Sequence, residues 1–340
     1  MIRGAALSVD DRRLLDLIQS DFPLAADPYG RLAESLGVSA AATRQAVIRL
    51  RQAGIIRRIG GSYVPARLGH VTSLVAAEVD AATIERAAAR ASGFPNVTHN
   101  YERDGRLNLW FTVIGGDQRQ LRETVACVAA AGGVREIHML PALKTFKLKV
   151  RFPFDSAAVS SARHGTCQPP GGADGACRPI DAEDKRLIAR TCGDIGTGLT
   201  PYDDLAGELG MPRNQLLTRL RAYRKDGWMR RFGAIIQHYA AGFNANGLSV
   251  WNVPDERVDE IGARFADRRE ISHCYERPRL PGWPYNLYAM IHGTGQRVVR
   301  GVADELAAGT GAVDRQVLFS RREFKKTSMV YFSGETGGHG

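Results

Sequence analysis

The sequence repeats itself, and that limits the fold more than any other feature. Asp11-Arg12-Arg13-Leu14-Leu15 recurs as Asp184-Lys185-Arg186-Leu187-Ile188, and Pro28-Tyr29 through Leu36-Gly37 recurs as Pro201-Tyr202 through Leu209-Gly210. Leu14 and Leu187 lie 173 positions apart, as do Leu32 and Leu205. Arg57-Arg58-Ile59-Gly60 returns as Arg230-Arg231-Phe232-Gly233, His99-Asn100-Tyr101-Glu102-Arg103 as His273-Cys274-Tyr275-Glu276-Arg277, and Phe146-Lys147 as Phe324-Lys325. A register that drifts so little marks a tandem duplication, or a fusion of two homologous subunits.

Within each half the hydrophobic period switches. Leu14, Leu15, Leu17, Ile18, Leu32, Leu36, Val47, Ile48 and Leu50 follow helical spacing. Gly37 falls at a tight turn, Ser39 can cap the next helix, and Gly54 ends it. Ile55–Ile59 followed by Ser62–Val64 predicts a short hairpin, giving a winged helix-turn-helix at 1–70 and its copy at 181–243. The rest alternates as strand, helix, two strands, helix, strand. The fold class is therefore α+β, with a ferredoxin-like βαββαβ unit at 71–153 and another at 244–333. Residues 154–180, rich in Ser, Pro and Gly without periodicity, read as a flexible linker.

The net charge of +10 raises the question of nucleic acid or a smaller polyanion. The third helices offer Thr43, Arg44, Gln45, Arg49 and Arg51, then Arg213, Asn214, Gln215, Arg219 and Arg221. These types read bases and phosphates, or simply keep an exposed face soluble. Acidic residues in the same units (Asp10, Asp11, Asp16, Asp203, Asp204, Glu208) offset much of that charge, so DNA binding is expected to be weak at most.

The doubled His-x-Tyr-Glu-Arg carries more chemistry. On a strand, His99 and Tyr101 share a face, with Arg103 extending the row; His273, Tyr275 and Arg277 repeat it. An imidazole, a phenol and a fixed cation on one sheet face suit acid–base chemistry on a carboxylate. Asn108 and Asn286 follow on the next strand, either to bind a carboxylate or to hold the hairpin together. The basic tails, Lys147 in one half and Arg321, Arg322 and Lys325 in the other, could clamp several carboxylates. The loop Pro278–Pro284, with Trp283, could cover a flat ligand, and His238 or His70 could reach a haem-type iron.

Other chemistry lacks its signatures. No GxGxxG, Walker A, HExxH or GxSxG motif occurs, and the five cysteines suit neither a disulfide framework nor a metal site. No run is apolar enough to span a membrane, and a reducing, cytoplasmic setting is expected.

The winged helix joined to a split βαββαβ unit resembles the Lrp/AsnC regulators. The His-x-Tyr-Glu-Arg pair, each followed by Asn-Leu-Trp/Tyr, the two Arg-Arg-(Ile/Phe)-Gly stretches and the run Leu318–Met329 are similar to one branch, the siroheme decarboxylases of haem d1 biosynthesis in their fused form. The resemblance implies non-oxidative removal of two acetate carboxyls from siroheme, giving 12,18-didecarboxysiroheme and CO2. The only iron would be the substrate's own, with no further cofactor and no protein-bound metal. On this reading His99 and His273 are acid–base candidates, Tyr101 and Tyr275 supporting donors, and Arg103 and Arg277 carboxylate anchors, with the second half doing more of the chemistry. A homodimer would be compatible. The rival is a DNA-binding regulator that senses a small ligand.

Overall fold

The computed structural model describes residues 7–148, 178–237 and 245–332. The linker expected at 154–180 falls almost wholly outside the described residues, and so does His238. The first half runs α1 (Val9–Ser20), α2 (Pro28–Leu36), α3 (Ala40–Gln52), β1 (Ile56–Tyr63), β2 (Val71–Val79), α4 (Ile84–Ser92), β3 (Val97–Arg103), β4 (Leu109–Gly115), α5 (Gln118–Ala129), β5 (Val134–Pro141) and β6 (Lys144–Leu148). The second runs α6 (Ala182–Thr191), α7 (Pro201–Leu209), α8 (Arg213–Lys225), β7 (Met229–Ile236), β8 (Ala245–Trp251), α9 (Val258–Asp267), β9 (Ile271–Glu276), β10 (Leu287–Gly293), α10 (Gln296–Thr310) and β11 (Arg315–Lys326).

The repeated Asp-basic-basic-Leu segments open α1 and α6 with capping boxes: Ser8 with Asp11, and Asp181 with Asp184. Gly37 and Gly210 take the left-handed conformation that ends α2 and α7, at φ 71° and 66°. The wing departs from the expected hairpin. β1 is a single strand whose partner is β7 of the other half, antiparallel, with Gly60 opposite Gly233. The glycines there allow close approach rather than a turn. A Cβ on Gly60 would meet carbonyl oxygens of Gly193 and Thr191, and one on Gly233 the carbonyl of Ile18. Both helix-turn-helix units accordingly share one hydrophobic core, from Leu14 and Tyr29 to Trp228 and Phe232.

The remaining strands run in the order β5-β2-β4-β3-β11-β8-β10-β9-β6. Each half contributes a four-stranded antiparallel unit with its helices on one face, covering the cores around Val75 and Phe111 and around Trp251 and Phe265. The halves exchange their last strands. β11 pairs with β8 through Phe319 and then with β3 from Ser320 to Lys326. β5 pairs with β2, and β6, two residues further on, pairs with β9. With β5 and β6 taken as one bent strand, the ring of strands closes. Between the two half-sheets lies a fourth cluster, including Trp110, Leu140, Tyr288 and Leu318. Among the described residues, no helix is long and apolar enough to cross a membrane.

Candidate functional site

The two His-x-Tyr-Glu-Arg segments form β3 and β9, each paired along one edge with the other half's exchanged strand. Alternation turns Asn100 and Cys274 toward the helices: Asn100 donates to Ala88 O at 2.8 Å, and Cys274 lies in the helix-covered core. His, Tyr and Arg line the opposite face. The rings of His99 and Tyr101 lie 6.3 Å apart, and those of His273 and Tyr275 6.2 Å. The guanidinium of Arg103 sits 5.1 Å from the Tyr101 ring, and that of Arg277 4.8 Å from the Tyr275 ring. So the structure brings together six predicted residues as two like rows.

Both arginines are buried, Arg103 at 5% and Arg277 at 9% exposure. Each donates to the backbone carbonyl of the partner half's exchanged strand, Arg103 to Leu318 and Arg277 to Leu140. The Nε of each has no partner among the described residues, and the hydrogen bonds of each guanidinium there go to a backbone carbonyl and not to a carboxylate. Burial lowers both from the ordinary arginine range, Arg103 to about 10. Buried cations with only ring faces and a carbonyl for company are costly unless an anion arrives.

The halves differ around the imidazoles. His99 stands opposite Lys326 in the strand register, whereas His273 stands opposite Leu148. Burial, then the charges of Lys326, Arg57 and Arg103, push His99 down to about 4, so it is neutral at pH 7. Its Nδ1 lies 3.0 Å from Thr98 Oγ1. His273 Nδ1 lies 2.7 Å from Ser272 Oγ, which lies 2.6 Å from Nε2 of the buried His292. Burial raises Tyr275, with Arg277 and Arg230 opposing, so its phenol keeps its proton.

The other predicted residues are placed elsewhere. Asn108 spends both ends of its amide on the backbone of Val79 (2.9 and 2.8 Å), and Asn286 does the same on Val253 (2.9 Å each). Lys147 donates to Arg268 O at 2.6 Å, and Lys325 to Ser92 and Phe94 carbonyls at 2.9 and 2.8 Å. Both lysines thus satisfy backbone carbonyls at the C-terminal ends of the other half's helices, α9 and α4. Arg321 pairs with Asp104 at 2.6 Å, and Arg322 with Glu102 and Glu85, both at 2.5 Å. Trp283 is no cover. It is buried at 2% exposure against Trp110 and Tyr285, with its Nε1–H donated to the Tyr288 hydroxyl at 2.9 Å. His70 has its Nδ1 3.0 Å from Leu68 O, and its ring packs against Tyr331.

Sequence reasoning missed Arg57, Arg230, Lys326 and His292. Arg57 reaches from β1 to donate to Lys326 O at 2.6 Å, so a wing residue contributes to the His99 row. The doubled Arg-Arg-x-Gly was the available signal. The arginines of the recognition helices, meanwhile, are engaged within the protein. Arg49 pairs with Asp11 at 2.6 Å and Arg219 with Asp184 at 2.6 Å, while Arg44 and Arg221 donate to Thr197 and Leu24 carbonyls of the opposite half. Arg51 pairs with Asp194 and Arg213 with Asp203. Among the described residues, no cluster of His, Cys, Asp and Glu could hold a metal ion.

Comparisons with known proteins identify the family of both kinds of unit. The AsnC-like ligand binding domain matches residues 67–147 and 240–325, and the siroheme decarboxylase NirDL-like HTH domain matches residues 11–57. The siroheme decarboxylase of Hydrogenobacter thermophilus is 32% identical over 324 residues, covering 95% of each chain. The siroheme decarboxylase beta subunit of Methanosarcina barkeri is 41% identical over 150 residues, 44% of this chain and 99% of its own. The crystal structure of the siroheme decarboxylase NirDL, also solved in co-complex with an iron-uroporphyrin III analogue, superposes with a TM-score of 0.72 at 30% identity, covering 96% of this chain and 95% of its own.

Proposed function

The chain belongs to the siroheme decarboxylase family, and we propose that it is a carboxy-lyase that removes acetate carboxyls from siroheme, giving 12,18-didecarboxysiroheme and CO2. The observation that carries this reading is the pair of buried guanidiniums without a carboxylate partner among the described residues, one in each half beside a tyrosine ring. A polycarboxylate macrocycle supplies the missing negative charge, and its flat apolar body suits a face of aromatic and aliphatic side chains. A regulator would instead present its recognition helices, whose arginines are occupied within the protein.

The chemistry needs little beyond the rows. As the C–COO bond breaks, CO2 departs and the electron pair stays on the former acetate carbon, where the macrocycle's conjugation can accept it. A proton must then reach that carbon. We assign its delivery to the imidazole of His273, with the phenols of Tyr101 and Tyr275 as supporting donors; His99, neutral at pH 7, has no imidazolium proton to give and is the weaker acid–base candidate. Arg103 and Arg277 hold carboxylates, and the exclusion of water around them strengthens those contacts. The iron belongs to the substrate, and the reaction calls for no separate cofactor. The second half, whose imidazole faces Leu148 rather than a lysine, is assigned the larger share of the chemistry.

The test is anaerobic incubation of the protein with siroheme, followed by mass spectrometry of the tetrapyrrole. Loss of two carboxyl masses is expected, with His273→Ala more damaging than His99→Ala. An unchanged tetrapyrrole would overturn the activity, and equal losses in the two variants would overturn the assignment of halves.

A further inference from the structure

The second half carries a chain of three side chains where the first has two. In both, the strand bulges just before the histidine. Val97 pairs with Val113 and His99 with Thr112, so Thr98 is the extra residue; likewise Ile271 pairs with Ile291 and His273 with Met290, so Ser272 is extra. A bulge breaks strict alternation and re-aims the adjacent side chain, and here it brings a hydroxyl onto the Nδ1 of the following histidine in each half. The copies then diverge. On the neighbouring strand the second half has His292 and the first has Ile114. Only His292 extends the chain, with its Nε2 2.6 Å from Ser272 Oγ at 8% exposure.

We propose that His292, acting through Ser272, is a positioning residue that holds His273 as the proton donor of the second half, a device the first half lacks. A serine hydroxyl has one proton to give and lone pairs to receive. When Ser272 accepts the Nδ1–H of His273 and donates its own proton to His292 Nε2, the imidazolium of His273 is held in one orientation, with its second proton on Nε2. This requires His292 to be a neutral acceptor. Burial, and then the charge of Lys326, disfavour its protonation. The arrangement parallels the third group that orients a catalytic imidazole elsewhere, with a neutral imidazole in the carboxylate's place. In the first half Ile114 stands where the second half has His292, and Lys326 stands opposite His99 in the strand register.

The inference rests on His273 being a donor in siroheme decarboxylation, so its test has one arm that does not depend on turnover. The variants are His292→Ile, which installs the first half's residue, His292→Gln, which restores an acceptor, and Ser272→Thr, which keeps the hydroxyl. With siroheme as substrate, His292→Ile is expected to lower kcat by about tenfold or more with KM within twofold, and to move the alkaline limb of the pH–rate profile to lower pH. His292→Gln should recover part of both effects, and Ser272→Thr most of the rate. In protein labelled with 15N-histidine, NMR should show a proton on His273 Nδ1 in the wild type that exchanges faster in His292→Ile. Unchanged kcat and pH profile in His292→Ile would overturn the proposal, as would equal losses in the Ile and Gln variants. If wild-type protein leaves siroheme intact, the functional reading fails and the donor role with it. The NMR arm then separates that failure from the absence of the hydrogen-bonded chain itself.

Discussion

Asn286 separates a binding role from a structural one. Its side-chain Oδ1 accepts the Val253 N–H and its Nδ2 donates to the Val253 carbonyl, both at 2.9 Å, with a further 3.3 Å contact to Asp255. Truncation in Asn286→Ala strands two backbone groups at a residue that is itself fully buried. An orphaned buried polar group costs about 1–3 kcal/mol, so about 2–4 kcal/mol is expected for the pair after partial relaxation. At about 2 °C per kcal/mol for a chain of this size, the thermal midpoint should fall by about 4–8 °C. The assay is urea and thermal unfolding followed by tryptophan fluorescence, beside siroheme titration and CO2 release at a temperature where the variant stays folded. Binding and turnover per folded molecule should stay within about twofold. A tenfold loss of siroheme affinity with the midpoint unmoved would refute the reasoning and return the amide to the substrate site. Asn108→Ala should behave alike but more mildly, since that side chain is only half-buried.

Two further outcomes follow from the buried charges. Arg103→Met and Arg277→Met should each raise the KM for siroheme at least tenfold while changing stability by no more than about 1 kcal/mol, because relief of charge burial offsets the lost carbonyl bond. A stability loss of about 3 kcal/mol or more, from equilibrium urea unfolding, would make the guanidinium a structural tie instead. Stability should also fall as pH drops from 6.5 toward 4, because His99 and His292 are held near 4 while the unfolded chain takes up protons at its ordinary histidine value. For His292 the contribution is about 1–3 kcal/mol, present above pH 6.5, and unfolding at pH 7 and pH 4.5 should show a smaller drop in His292→Gln than in the wild type.

Much of this was legible because duplication tests its own motifs. Two copies of His-x-Tyr-Glu-Arg marked the rows, and the switch from helical to alternating spacing marked the two kinds of unit. What escaped was whatever depends on the other half. Gly60 reads as a turn residue until the backbone of Thr191 and Gly193 is placed beside it. Trp283 sits in a polar, proline-rich loop, and only the space between the two half-sheets explains its burial. Lys147 and Lys325 follow Phe146 and Phe324, which enter the opposite half's core, so the lysines end on the opposite half's helices. Bulges at Ser320–Arg322 and Glu323–Lys325 defeat any period-two forecast for the basic run. His292 was missed because its counterpart, Ile114, is apolar, and a search for shared residues passes over it.

The exchanged strands also dictate how such a molecule can be made. β3 carries His99, yet its neighbour β11 is, among the described residues, the last strand to be synthesised. Until then β3 is a bare edge, open to pairing with other nascent chains. Contacts such as that between Arg57 and Lys326, 269 residues apart, imply slow maturation. Joining the halves covalently makes the completing strand a tethered one, at a local concentration no separate subunit reaches in dilute solution. In the fused chain the waiting time at that edge is set by the speed of synthesis, not by the abundance of a partner.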